Sequence, residues 1–274
     1  MWKKVWKRVV NYSFFMLKYS GKKGRWNMKL KNKVSLVTGS SKGIGRATII
    51  ELAKQGSDVV INYNTDLDGA LSLVNEIAKY NVKSVIIKCD ISNEDEVKSM
   101  IDKVIDEFGR IDILVNNAGI AIDTTFEDKT KENFMKILEV NLVGTFLVSK
   151  YVGVHMLNQK SGKIVNISSD AAINKNYPES LDYDASKAGV ISLTKNLAKQ
   201  YAPYINVNCV APGWVDTNMN KELDQDFINE ENNKILLNRF AKPVEIAKVI
   251  SFLVTDDASY INSEVIKVDG GFNG

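Results

Sequence analysis

From Lys33 onward, short runs of Val and Ile alternate with longer stretches whose apolar residues recur every three to four positions. The runs VSLVTG, DVVIN, SVIIKCD, IDILVNN, GKIVNISS, INVNCVAP and EVIKVDGG read as seven short strands. Between them GRATIIELAKQG, EDEVKSMIDKVIDEFG and SKAGVISLTKNLAKQYAP carry the helical period. Strands alternating with helices of this length demand right-handed crossovers, hence an α/β fold with one doubly wound parallel sheet and helices on both faces. No Pro/Ser-rich linker, repeat or low-complexity tract divides residues 28–274, which are expected to form one domain. The least regular stretch, Asp216 to Lys242, follows the sixth strand and reads as a lid over a ligand or as a plain surface loop.

Composition adds exclusions. At 274 residues, 45% hydrophobic and 25% charged, the chain is neither collagenous, mostly disordered nor a polytopic membrane protein. Two dispersed cysteines and one histidine give no disulfide framework and no metal cluster; they suit a reducing, cytoplasmic setting. His155, the single histidine, falls in a helical stretch and reads as a surface or packing residue. The net charge of +3 hides an asymmetry: residues 1–27 hold eight Lys or Arg and no acid, leaving 28 basic against 33 acidic residues behind them. That mildly acidic body offers nothing to nucleic acid. In the extension, Trp2, Val5, Trp6, Val9 and Val10 share one helical face opposite Lys3, Lys4, Lys7 and Arg8, a pattern that can lie on an anionic membrane. A disordered or non-native arm ahead of Met28, and organelle targeting, are the other readings.

The first strand runs into Thr38-Gly39-Ser40-Ser41-Lys42-Gly43-Ile44-Gly45 and then a helix. Glycines there permit a tight turn and let a helix N-terminus meet a pyrophosphate. Farther on, Asn116-Asn117-Ala118-Gly119 follows the fourth strand, Asn141 sits in VNLVGTF, and Ser169 ends the fifth strand. Tyr183 and Lys187 stand four apart in YDASK, and Pro212-Gly213 follows the sixth strand. In these motifs and their order the chain resembles the short-chain dehydrogenase/reductase family, with its TGxxxGxG turn, over nearly all of residues 28–274.

The resemblance implies a Rossmann-type single domain, a nicotinamide cofactor, and catalysis by Asn141, Ser169, Tyr183 and Lys187. It further implies nucleotide contacts at Gly39, Ser41, Lys42, Gly43, Ile44, Gly45, Tyr63, Asn64, Asp90, Ile91, Asn117, Ala118 and Gly119. Tyr183, Lys187, Pro212, Gly213, Val215 and Thr217 complete that set, and no metal is required. Reduction of a ketone needs a proton donor at the developing alkoxide. Tyr183 and Lys187 share a helical face, so the ammonium is expected to draw the phenol's pKa toward neutrality. Ser169 would hold the carbonyl oxygen; it lies fourteen residues before Tyr183, one more than is usual in the family, and Ser168 is the alternative. Asn141 would position a proton-relaying water. The second strand ends Ile61-Asn62-Tyr63-Asn64 with no acid to select NAD, and Lys42 can pair with a 2′-phosphate, so the expected cofactor is NADP(H). Asp90 would contact adenine or cap the next helix.

Within the family, MKLKNKVSLVTGSSKGIGRA, APGWVDTNM and VIKVDGG look most like the bacterial 3-oxoacyl-[acyl-carrier-protein] reductases of fatty-acid synthesis. Lys160 and Tyr204 stand where carrier-facing arginines are found, which weakens a carrier-linked substrate. A reductase of a small polyol or sugar, and a non-catalytic dinucleotide-binding protein, are the alternatives. The apolar helices GTFLVSKYVGVHML and KAGVISLTKNLAKQ, with the resemblance, imply a homotetramer. The basic arm has no acidic run on the body to dock it, so a chain beginning at Met28 should match the full chain in melting temperature and turnover. Thermal unfolding and NADPH oxidation compared across the pair check this; a melting point many degrees lower would mean that the arm packs on the body.

Overall fold

The computed structural model describes residues 28–173, 177–220 and 223–272; the reading of residues 1–27 falls outside them. Seven parallel strands form one sheet in the order β3-β2-β1-β4-β5-β6-β7. They are β1 (Val34–Val37), β2 (Asp58–Tyr63), β3 (Ser84–Lys88), β4 (Ile113–Asn116), β5 (Gly162–Ile167), β6 (Ile205–Pro212) and β7 (Val265–Val268). All seven expected strands form, β1 starting one residue later than Lys33.

The helices are α1 (Gly43–Lys54), α2 (Leu67–Ile77), α3 (Glu94–Phe108), α4 (Lys131–Leu138), α5 (Thr145–Gln159), α6 (Leu181–Tyr201), α7 (Gln225–Lys234) and α8 (Pro243–Leu253). α1, α2 and α8 pack over one face of the sheet, and α3, α5 and α6 over the other. β1 shows why both faces need cover: Leu36 joins one apolar cluster and Val37 the other, both with no exposed surface. At roughly 1.5–3 kcal/mol per buried aliphatic side chain, strands of this composition hold the sheet between its two helical layers.

Among its described residues, the stretch Asp216–Lys242 is more regular than its sequence suggests. It contains α7, capped by the Asp224 carboxylate on the Phe227 amide, and ends in the Pro243 start of α8. Between α4 and α5 the chain makes a π-helical turn, Glu139–Gly144, which carries Asn141. The helical run Lys131–Gln159 is, among the described residues, the one long and apolar enough to cross a membrane; half of that apolar window is buried in the core. His155 is half-buried on α5.

Polar groups are also buried at the strand ends. Asn116 and Asn166, in register on β4 and β5, bond to each other at 2.8 Å. Asn116 also donates to the Ser149 hydroxyl and Asn166 to the Thr194 hydroxyl, fastening α5 and α6 to the sheet. Leaving such groups unpaired costs about 1–3 kcal/mol each. Asn166→Ala should therefore lower stability by about 2–3 kcal/mol, read from denaturant unfolding; a loss under about 0.5 kcal/mol would mean water replaces the bonds.

Candidate active site

The strand order reverses between β1 and β4, and a cleft of about 810 Å³ opens at their carboxyl ends. Its floor is the turn from β1 into α1. Gly39 and Gly43 have φ of +60° and +58°, which glycine alone adopts freely. A Cβ on Gly39 would come 2.8 Å from the Ala118 Cα, and one on Gly45 would come 2.5 Å from the Asn117 amide nitrogen. The turn is thus pressed against the segment after β4. The Thr38 hydroxyl accepts from the backbone amides of Asn117 and Ala118, both at 3.0 Å, and the Asn117 side chain donates to the Thr38 and Gly39 carbonyls. From the other side Asn62, at the end of β2, accepts from the Gly39 amide at 3.0 Å. α1 begins with no side-chain cap on its amides, and Lys42 is exposed beside them. These amides suit a pyrophosphate.

At one end of the cleft Ser41, Lys42, Tyr63, Asn64, Asp90 and Ile91 gather around the space an adenosine would fill. The carboxylate of Asp66 caps α2 through the Gly69 amide. Asp90 does not cap α3; Asn93 does, accepting from the Asp95 and Glu96 amides, while Asp90 accepts from Ser92 and from the Asn64 side chain. A residue three positions closer to the helix reaches its first free amides better, and that corrects the capping alternative for Asp90.

At the other end Gly119, Ser169, Tyr183, Lys187, Pro212, Gly213, Val215 and Thr217 converge. Gly45 and Asn141 lie behind the wall. Asn141, fully buried, bonds both ways to the Ile120 backbone (2.8 and 3.0 Å) and donates to the Ser186 hydroxyl at 3.0 Å, so it clamps the segment after β4. Ser168 is buried and donates to the Lys187 carbonyl at 2.8 Å, whereas the Ser169 hydroxyl meets the Tyr183 phenol. Lys187 Nζ donates to the Ile167 carbonyl at 2.9 Å and lies 5.5 Å from the Tyr183 ring centre.

The expected drop of the Tyr183 pKa does not occur here. Burial pushes the phenol up to about 12, offset only in part by Ser169. The same burial pushes the Lys187 ammonium down to about 8. Desolvation is the largest cause of both shifts, and the nearby carboxylates of Asp170, Asp184 and Asp123 add to the rise of the phenol.

Several lining residues carry no motif. Trp214 stacks on Phe240 with centroids 5.4 Å apart and meets Phe227 and Tyr177 edge-on. Its indole and the Tyr177 hydroxyl both donate to Glu231 at 2.7 Å. Asp170 and Asp184 line the same side, and burial pushes Asp184 up to about 6. Aromatic residues clustered around WVDTNM and the two acids flanking Ser169 and Tyr183 were the signals available. Lys160 and Tyr204 precede β5 and β6, at the opposite edge of the sheet from the cleft, so within one chain they do not face it.

The turn, the cleft at the switch point and the Ser–Tyr–Lys group define a dinucleotide-dependent oxidoreductase fold, and the chain belongs to the short-chain dehydrogenase/reductase family. A family described as Enoyl-(Acyl carrier protein) reductase matches residues 39–273. The 3-oxoacyl-[acyl-carrier-protein] reductase of Synechocystis sp. is 42% identical over 241 residues, 87% of this chain and 96% of its own. That of Thermotoga maritima is 40% identical over 245 residues, 89% of this chain and 99% of its own. A Burkholderia cenocepacia short-chain dehydrogenase solved in complex with NADP superposes with a TM-score of 0.84 at 31% identity, covering 90% of this chain and all of that one.

With Tyr183 protonated far past neutrality, the alkaline limit on a reductive reaction should come from Lys187. Below pH about 8 the ammonium is present; above it, the charge beside the developing alkoxide is lost. Reductive kcat should be level from pH 6 to about 7.5 and fall through pH 8–9.5. A profile still level at pH 9.5 would remove the Lys187 charge from the rate.

Proposed function

We propose that the protein reduces a ketone to a secondary alcohol with NADPH, with 3-oxoacyl thioesters, first of all 3-oxoacyl-[acyl-carrier-protein], as substrates. The observation that carries this reading is the meeting of Ser169, Tyr183 and Lys187 at one end of a cleft built for a dinucleotide. The relatives named for the 3-oxoacyl reaction support the substrate class. Gly39 and Gly45, where a Cβ would collide, and the uncapped start of α1 fit a pyrophosphate. Lys42, with Tyr63 ending β2 and Asn64 just after it, fits a 2′-phosphate better than a free ribose diol. NADPH bound there supplies a hydride to the carbonyl carbon.

The protein's own groups do the rest. Ser169 holds the carbonyl oxygen by a hydrogen bond. Tyr183 Oη gives its proton to that oxygen as negative charge develops on it. The Lys187 ammonium, fixed by the Ile167 carbonyl, favours the resulting phenolate. Asn141 keeps Ile120 in place behind Gly119 rather than touching the reacting atoms.

A second reading, a small polyol or sugar ketone as substrate, draws on Asp170 and Asp184, hydrogen-bond acceptors on the substrate side where an aliphatic chain would find none of use. A non-catalytic dinucleotide-binding role leaves the Ser–Tyr–Lys group without a purpose. Exposed Phe146 and Val154 on α5 support association of copies into a homotetramer, and the two free, buried cysteines suit the cytoplasm. Membrane contact by residues 1–27 remains the less favoured reading of that arm.

NADPH oxidation measured against acetoacetyl thioesters and a panel of hydroxyketones tests the proposal. Thioesters should turn over, and Tyr183→Phe should lower kcat by about 10² or more with NADPH affinity little changed. Turnover confined to hydroxyketones would hand the substrate to the second reading; near-wild-type kcat in Tyr183→Phe would remove the tyrosine from the mechanism.

A further inference from the structure

We propose that Lys129 and Asp182, a buried ion pair that none of the expected motifs includes, are positioning residues that fix Tyr183 for proton transfer. The inference rests on Tyr183 being the proton donor. Asp182 has no exposed surface and the Lys129 side chain only 4%. Lys129 Nζ donates to both Asp182 oxygens, at 2.9 and 3.0 Å, and to the Ile122 carbonyl at 3.0 Å, so all three ammonium hydrogens are used. Asp182 Oδ1 accepts in turn from the Tyr183 backbone amide at 2.9 Å.

The other side of the Tyr183 residue is held symmetrically. Its carbonyl accepts from the Ser186 hydroxyl at 2.6 Å, and that hydroxyl accepts from Asn141, which grips the Ile120 backbone. Two chains of bonds thus run from Tyr183 to one short segment after β4. One passes through Asp182 and Lys129 to Ile122, and the other through Ser186 and Asn141 to Ile120. That same segment begins with Asn117, Ala118 and Gly119, which line the nucleotide cleft. The backbone of the proton donor is therefore referenced to the wall against which the nucleotide would lie.

Stability alone gives weak grounds for such a pair. Removing two charges from water costs about as much as their attraction returns, and well-packed apolar residues serve as well or better. What the pair adds is direction: its oxygens and hydrogens reach fixed partners on two elements that apolar contact would leave free to slide. A misplacement of about 1 Å can cost 10²-fold in rate.

The test uses the full chain and compares Lys129→Met, the double variant Lys129→Met/Asp182→Leu, Asp182→Asn and Tyr183→Phe. Lys129→Met strands a buried carboxylate, so both melting temperature and kcat should fall. The double variant removes both charges; its melting temperature should return close to wild type. Its kcat should stay at least tenfold low, with the NADPH KM within about twofold. Recovery of kcat together with melting temperature would make the pair structural only and overturn the inference. Asp182→Asn keeps an acceptor for the Tyr183 amide and should lower kcat about threefold at unchanged NADPH KM; wild-type kcat there overturns the proposal even should the double variant not fold. An active Tyr183→Phe would instead sink the assignment of the tyrosine itself.

Discussion

The contact on which the site depends is the mutual clamp between the turn after β1 and the segment after β4. Parallel strands on either side of a switch point send their helices to opposite faces, and so open a gap between their carboxyl ends. Left alone, two polar loops facing that gap would be solvated and loosely placed. Here Thr38 spends its hydroxyl on two amides of the other segment, and Asn117 returns two bonds to the turn. The bonds require an approach so close that Gly39 and Gly45 cannot carry a Cβ. One glycine set therefore serves two demands, a dinucleotide's approach from above and loop-to-loop contact from below.

Everything at the reacting end is referenced to that clamp. Asn141 holds Ile120, three residues beyond Asn117, and reaches α6 through Ser186. Lys187 hangs from the last carbonyl of β5. The cost of so enclosed an arrangement appears in the acid–base balance: burial raises the phenol and lowers the ammonium, so each neutral form is favoured. This bias suits the proposed reduction, in which the tyrosine begins protonated. The Lys187 ammonium, lowered to about 8 by burial, is present at neutral pH and is the first of the two charges to change as pH rises.

The strands were legible because seven Val- and Ile-rich runs are separated by helical periods, and the glycine turn because its three glycines stand between the first strand and the first helix. Tyr183 and Lys187 were legible from a spacing of one helical turn. What stayed hidden depends on the third dimension. Asn62 reads as an ordinary strand end, yet its side chain spans from the Gly39 amide to the Cys89 carbonyl. Lys129 and Asp182 are separated by more than fifty residues, and each alone looks like a surface charge. The direction of the Tyr183 shift was misjudged for a related reason: sequence spacing shows that an ammonium is near, but only packing shows how far both groups have been withdrawn from water. α7 was missed because a helix of mean composition QDFINEENNK lacks an apolar stripe strong enough to announce itself.

On the proposed reading, the substrate side of the cleft is built separately from the nucleotide side. Its wall comes from residues 177–184 and from the segment after β6, joined by one buried carboxylate. Burial alone would push Glu231 up, but bonds from Lys234, Tyr177 and Trp214 hold its carboxyl below the usual range and keep it an acceptor. Trp214 is thereby pinned at its indole nitrogen as well as stacked on Phe240, so the ring presents a rigid boundary rather than an adaptable one. For the proposed ketone substrate, a rigid aromatic wall with Asp184 beside it would discriminate by shape and by hydrogen-bond donors. Under the proposed ketone reduction, the residues placed to select the ketone are Tyr177, Asp184 and Trp214, with Glu231 behind the wall holding Tyr177 and Trp214 in position.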